Sequence, residues 1–343
     1  MTRSPAGGYA AIALTVLMWA GFALSMRGIA LSGLTPVDVA LIRFALPVLV
    51  LAPWLPRAVR EAHDAAARPG GKLALVLIAS GAGLPFFLLA SWGGALGSAG
   101  LVGVVIPGAT PLFVAVLAWT CWGVRPTGRA AAGLAAVLAG VAVLALAAPA
   151  GGGPAGAPGA GACAVLVLAG LFWALYTTGI RRAGLTPLAA TLVLCVPSAV
   201  LSVLALVLGQ STGLWPSGLP HAPLGELAVF AGVQGLGVGV VAALAYAAAI
   251  RSLGPQRAAA FGATSPVLTV LLAVPLFAEP ATAAGAVGTA LVVAGVVRAT
   301  TPPAAVPAGQ PQPAPPTPQE HHVRVPAVPE PGPAVGAGPR LPG

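Results

Sequence analysis

A chain of 343 residues with 58% hydrophobic and only 7% charged side chains cannot cover itself with solvated groups, since an ordinary globular domain carries roughly 25% charge. This excludes an ordinary pair of soluble domains and leaves lipid as the solvent for much of the surface. The net charge of +9 does not indicate nucleic acid, because the basic residues are spread singly and form no basic face.

A hydrocarbon core about 30 Å thick takes about 20 apolar helical residues. Ten stretches of that kind follow one another: 8–26, 37–55, 73–91, 99–121, 128–147, 161–180, 186–208, 224–249, 256–277 and 281–299. The fold class is therefore all-α and polytopic. The first stretch follows a basic start at Arg3, as a signal peptide does, but no small-residue cleavage site lies near Met26 and Arg27. It is read as a retained span. Thr35-Pro36 and Thr186-Pro187 both read as helix starts, with Thr capping and Pro in the first turn. Pro47, Pro85, Pro107, Pro111, Pro197, Pro266 and Pro275 fall inside or near the middle of spans, where each kinks the helix as a hinge or a static bend. Cys121, Cys163 and Cys195 lie in apolar runs with no CxxC pair, so neither a disulfide nor a metal or cofactor site is expected. Residues 148–160 read as a Gly/Pro/Ala linker, and 300–343 as a Pro-rich disordered tail that includes the solvated pair His321-His322.

Lys and Arg are retained on the cytoplasmic side of a membrane. With ten spans and a cytoplasmic start, only Arg27 and Arg43 of the 16 basic residues fall outside the cytoplasmic segments. The outer connections 148–160 and 209–223 carry none. The expectation is a multi-pass protein of the cell membrane, inner or plasma, with both termini in the cytoplasm.

The chain also repeats itself. Gly28-Ile29 followed by Gly33-Leu34-Thr35-Pro36 recurs as Gly179-Ile180 followed by Gly184-Leu185-Thr186-Pro187. Gly108-Ala109-Thr110-Pro111 recurs as Gly262-Ala263-Thr264-Ser265-Pro266, and Ala139-Gly140-Val141 as Ala294-Gly295-Val296. Spans one to five (1–147) are thus repeated by spans six to ten (161–299). Five is odd, so the second copy enters the membrane from the opposite side. Inverted repeats of this kind are a recurring plan of secondary transporters.

Met18-Trp19-Ala20-Gly21-Phe22, Ile106-Pro107-Gly108-Ala109-Thr110-Pro111-Leu112, and Thr264-Ser265-Pro266-Val267 through Phe277-Ala278-Glu279-Pro280 resemble motifs of the EamA-like members of the drug/metabolite transporter superfamily. The resemblance runs over residues 8–299. It departs at Gly123-Val124-Arg125-Pro126, where the family usually has Gly-Glu-Arg-Pro, so that Val124 replaces an acid whose counterpart Glu279 is kept. The resemblance implies transport of small metabolites, amino acids or drug-like solutes by alternating access, with export the preferred direction. It also implies a central cavity to which the helices of Trp19, Phe22, Trp92, Trp173, Tyr176 and Tyr246 contribute.

An ionisable group inside a bilayer is costly and marks function by default. Arg43, in the outer third of span two, is the first candidate, because its forked donors suit a carboxylate or phosphate. Snorkelling to the headgroups is the bland alternative. Asp38 follows Thr35 by three residues in a Thr-x-x-Asp pattern that reads chiefly as a capping box. Asp38, Glu226 and Glu279 are the available candidates for coupling to a proton or ion. Gln234, among Gly232, Gly235, Gly237 and Gly239, either faces a solute or bonds a neighbouring helix, and the glycines read as close helix packing. No His-acid or paired-acid spacing within a span supports an enzyme. The remaining alternative is a non-transporting scaffold or sensor derived from a carrier. The expected partners are a small solute and the bilayer, with a homodimer left open.

Overall fold

The computed structural model describes residues 5–147 and 159–300. The tail expected over 300–343 falls outside the described residues apart from Thr300, as does the linker but for its last two residues, which begin a helix. The first repeat comprises α1 (Pro5–Ala30), α2 (Pro36–Val50), α3 (Leu55–Ala67), α4 (Gly71–Gly81), α5 (Leu84–Leu96), α6 (Ala99–Trp122) and α7 (Gly128–Ala147). The second comprises α8 (Gly159–Ala183), α9 (Pro187–Thr212), α10 (Leu224–Phe230), a π-helical stretch Ala231–Val241, α11 (Ala242–Leu253), α12 (Pro255–Gly262), α13 (Ser265–Phe277) and α14 (Ala283–Thr300). Among the described residues nine helical stretches are long and apolar enough to cross a membrane, and α2 with its bent continuation makes a tenth. The result is an all-α bundle of two five-span repeats.

Four of the expected spans are not the simple helices that hydropathy suggests. Span two turns by 63° after Val50, instead of running straight to residue 55. Pro53, in the short turn Ala52–Trp54, has no N–H to continue the ladder, and Pro56 starts the next helix. Beyond the turn α3 carries Arg57, Arg60, Glu61, His63 and Asp64, which hydrocarbon would not accept. Span three breaks between Gly81 and Leu84, with Pro85 in the first turn of α5. The free Leu84 N–H donates to Ser198 Oγ at 3.3 Å, so the second repeat satisfies a donor that the break exposes in the first. Span eight contains the π-helical stretch, and span nine is interrupted at Ala263 and Thr264, between α12 and α13. Pro85 and Pro266 therefore stand at the starts of new helices, whereas Pro47, Pro107, Pro111, Pro197 and Pro275 lie inside continuous ones.

In lipid, apolar burial gives little drive for helices to associate, so close packing and polar links must hold them. The α7–α14 pair shows the first of these. A Cβ at Gly140 would lie 2.7 Å from the Gly288 carbonyl oxygen, and only hydrogen on both residues permits that approach. The main core lies between the repeats and includes Met26, Phe44, Phe86, Phe87, Val102 and Leu166. Large apolar side chains such as Leu49, Leu146 and Leu204 point outward, as a lipid-facing surface requires.

Candidate functional site

A cavity of about 260 Å³ opens inside the bundle, lined from both repeats. From the first come Trp19, Phe22, Arg43, Phe86, Val102 and Ile106; from the second come Trp173, Tyr246, Ser265, Pro266 and Val292. Its volume lies just below the roughly 300–1,000 Å³ of pockets for drug-sized ligands, so it suits a small solute.

Among the described residues Arg43 is the only charged side chain on the wall. It is 5% exposed, and its Nη1 donates to Gln234 Oε1 at 2.6 Å. Gln234 is fully buried and donates through Nε2 to Ser25 Oγ, whose hydroxyl donates in turn to the Phe22 carbonyl at 2.7 Å. This chain of hydrogen bonds joins α1, α2 and the π-helical stretch, and so crosses between repeats. The guanidinium carbon also lies 5.1 Å from the centre of the Phe22 ring, 5.4 Å from Phe44 and 5.7 Å from Phe87. Contacts of a cation with ring faces in a dry site each contribute on the order of 1–2 kcal/mol. No carboxylate among the described residues pairs with Arg43, and its buried Nε has no hydrogen-bond partner.

The local backbone explains how Gln234 gets there. A π-helical turn shifts the register of side chains along a helix, and π-bulges are frequent at functional sites. Here the glycines let that distorted segment press against α2: a Cβ at Gly239 would meet Pro47 Cγ at 2.5 Å. Pro47 itself frees an acceptor one turn below, on the helix that carries Arg43.

The aromatic residues form two rows beside the cation. Phe22 stacks on Phe86 at 5.7 Å, Phe86 meets Trp173 at 5.2 Å, and Trp173 meets Tyr176 at 5.1 Å. Trp19 and Tyr246 pair at 5.1 Å on another part of the wall. Of the residues expected around a cavity, Trp19, Phe22, Arg43, Trp173 and Tyr246 line it. Gln234 and Tyr176 stand behind it, each supporting a lining side chain. Trp92 is the exception: it is 57% exposed on α5 and takes no part in the lining. A tryptophan inside an apolar span carries no mark of which helix face it occupies, and this one points outward. Ser25 and Phe86 were not foreseen. Ser25 sits one helical turn after Phe22, a spacing that could have flagged it; nothing in the sequence marks Phe86.

The three acids lie away from the cavity wall. Asp38 forms the capping box with Thr35, and its carboxylate also accepts from Ser217 Oγ at 2.5 Å and the Gly218 N–H at 2.9 Å. Glu279 accepts from the N–H groups of Ala99 at 2.6 Å and Gly100 at 3.1 Å, at the start of α6. Glu226 lies in the first turn of α10, with one buried carboxyl oxygen that has no partner. No group of His, Cys, Asp and Glu among the described residues is arranged to hold a metal.

The sequence profile of the EamA-like transporter family matches the chain twice, over residues 6–146 and 160–301. A solved structure titled "Crystal structure of protein" is 22% identical, with a TM-score of 0.55 over 87% of this chain and 98% of the other, and shares its fold. No curated protein matches the sequence.

Proposed function

Because the chain belongs to the EamA-like transporter family, we propose that it moves a small solute across the cell membrane by alternating access, with export its preferred direction. The observation that carries this reading is the cavity between the repeats, with a buried Arg43 on its wall and aromatic side chains around it. A solute held there touches both repeats, so relative movement of the two can expose it first to one side and then to the other. The distribution of basic residues supports a cytoplasmic location for both termini. In this reading the first repeat comprises 1–147, the linker 148–160 and the second repeat 161–299, with the tail on the cytoplasmic side.

The test compares cells expressing the intact chain with cells expressing Arg43→Ala at matched membrane levels. Untargeted mass spectrometry of spent medium and cell extract should show a few solutes redistributed by the intact protein alone. Identical profiles across several media would instead support a scaffold or sensor that has lost transport.

A further inference from the structure

The reading of the cavity as a transport site can be taken further, to the kind of solute that it holds. We infer that the solute is a small organic monoanion with a flat apolar body, whose acidic group meets Arg43. The inference rests on the carrier reading and on the charge balance of the site.

Arg43 is a full positive charge at 5% exposure, with one donor given to the neutral Gln234 and the buried Nε given to nothing. An isolated buried charge costs several kcal/mol unless an opposite charge or sufficient hydrogen bonds compensate it. Aromatic faces and one amide supply part of that compensation; no carboxylate supplies the rest. An anion entering the cavity would complete it. A guanidinium offers donors in a rigid fork that matches an acidic group.

The same wall argues against other charge types. A cationic or zwitterionic solute would bring an ammonium into a cavity that already holds a positive charge and, among the described residues, no acid. A dianion such as a phosphate monoester would bring two negative charges to one cation. The remaining wall is almost wholly aliphatic and aromatic, with Trp19, Phe22, Phe86, Trp173 and Tyr246 able to sandwich a ring. One cation among ring faces thus selects one negative charge on an apolar body.

The experiment uses the purified full chain in proteoliposomes and three labelled probes whose charge is fixed at neutral pH. These are benzenesulfonate, phenyltrimethylammonium and phenylalanine, and none crosses lipid readily as a neutral species. Counterflow uptake of benzenesulfonate should exceed that of the other two by about tenfold, the equivalent of about 1.4 kcal/mol of discrimination. Arg43→Ala should abolish it. Gln234→Glu tests the charge balance without removing the cation: it places a carboxylate against Nη1 and neutralises the site internally, so anion uptake should fall to background. Because Arg43→Ala can fail by misfolding, the Gln234→Glu protein is also checked for a monodisperse gel-filtration profile. Preferential uptake of the cation or the zwitterion, or anion uptake untouched by both substitutions, overturns the inference while leaving a carrier. Failure to move or bind any of the three probes also overturns it, and the carrier reading is then decided separately by the comparison of medium and extract, which assumes no solute class.

Discussion

Arg43 and Gln234 are 191 positions apart and share a hydrogen bond of 2.6 Å in a dry site. Gln234 accepts from the cation with one end of its amide and donates to Ser25 with the other, so it holds the guanidinium in one orientation. Replacing it by Leu keeps the volume roughly constant and removes both bonds. Leaving a buried charged donor unsatisfied costs about 1–3 kcal/mol. Because that cost falls on the empty site and an entering anion relieves it, Gln234→Leu should lower the KM for transport by roughly tenfold, on the scale of 1.4 kcal/mol per tenfold, with a smaller change in the maximal rate. Transport kinetics in proteoliposomes check this, and an unchanged KM would remove Gln234 from the site. The cation was legible from the sequence because a charge in a span is expensive wherever it points. Its partner was not, since an amide in a glycine-rich helix can face a solute, a neighbour or lipid, and only packing decides among them. The aromatic residues divide in the same way: five expected positions are at the cavity or directly behind it, and Trp92, of the same type, faces outward.

At the level of helices, the repeat is visible in the caps as well as in the residues. α2 and α9 both begin Thr-Pro, and both Thr side chains accept from the third N–H of the helix. In α2 the acid that completes the cap is its own Asp38, whereas position 189 in α9 is Ala. Glu61 of α3 fills the vacancy from another helix, accepting from the Thr186 N–H at 3.0 Å and the Thr186 hydroxyl at 2.8 Å. Desolvation by itself would raise the Glu61 carboxyl. The hydrogen bonds from Thr186 and the nearby Arg57 together outweigh it and hold the group below the usual carboxylate range. A carboxylate whose folded pKa lies below its unfolded one stabilises the fold above the unfolded value and loses that contribution as pH falls through the folded value. Wild-type protein in detergent should thus lose thermal stability between roughly pH 5 and pH 3, where ordinary carboxylates protonate, more steeply than Glu61→Gln. Parallel melting curves for the two proteins would refute this cross-repeat cap. The number and approximate placement of spans could be read from hydropathy, which reports where a chain can lie in lipid. The 63° turn, the break before Leu84 and the π-helical stretch could not, because an apolar run remains apolar when its hydrogen-bond ladder is interrupted. Their satisfaction depends on groups such as Ser198 that come from the other repeat.

Across the whole molecule, the inverted repeats are not equally equipped to close. α6 and α13 occupy corresponding positions, and each ends in a left-handed residue, Gly123 at φ 68° and Ala278 at φ 51°. The next residue is Val124 in one repeat and Glu279 in the other. Glu279 reaches the first N–H groups of α6 and fastens α13 to it at that end of the bundle. Charge-assisted bonds to a helix N-terminus combine two favourable interactions, since the helix dipole adds to the hydrogen bonds. Val124 is 60% exposed and can make no such bond. The cavity wall correspondingly continues through Ala259 of α12 to Thr300 at the end of α14, away from the Glu279 closure. For a carrier that alternates, this predicts a resting preference for the conformation closed at Glu279, set by one carboxylate. Hydrogen bonds to a charged group contribute about 1.5–3 kcal/mol each. Glu279→Gln keeps the shape and removes the charge, so it should raise the fraction open at that end by about tenfold, on the scale of 1.4 kcal/mol per tenfold. A reporter thiol introduced as Val102→Cys, in a background with the three native cysteines replaced, reads the opening by its rate of reaction with a membrane-impermeant maleimide. That rate should rise about tenfold with Glu279→Gln, following the shift in the open population. An unchanged rate would mean that packing between α6 and α13, where Thr269 lies against Gly103, holds the end shut without the carboxylate.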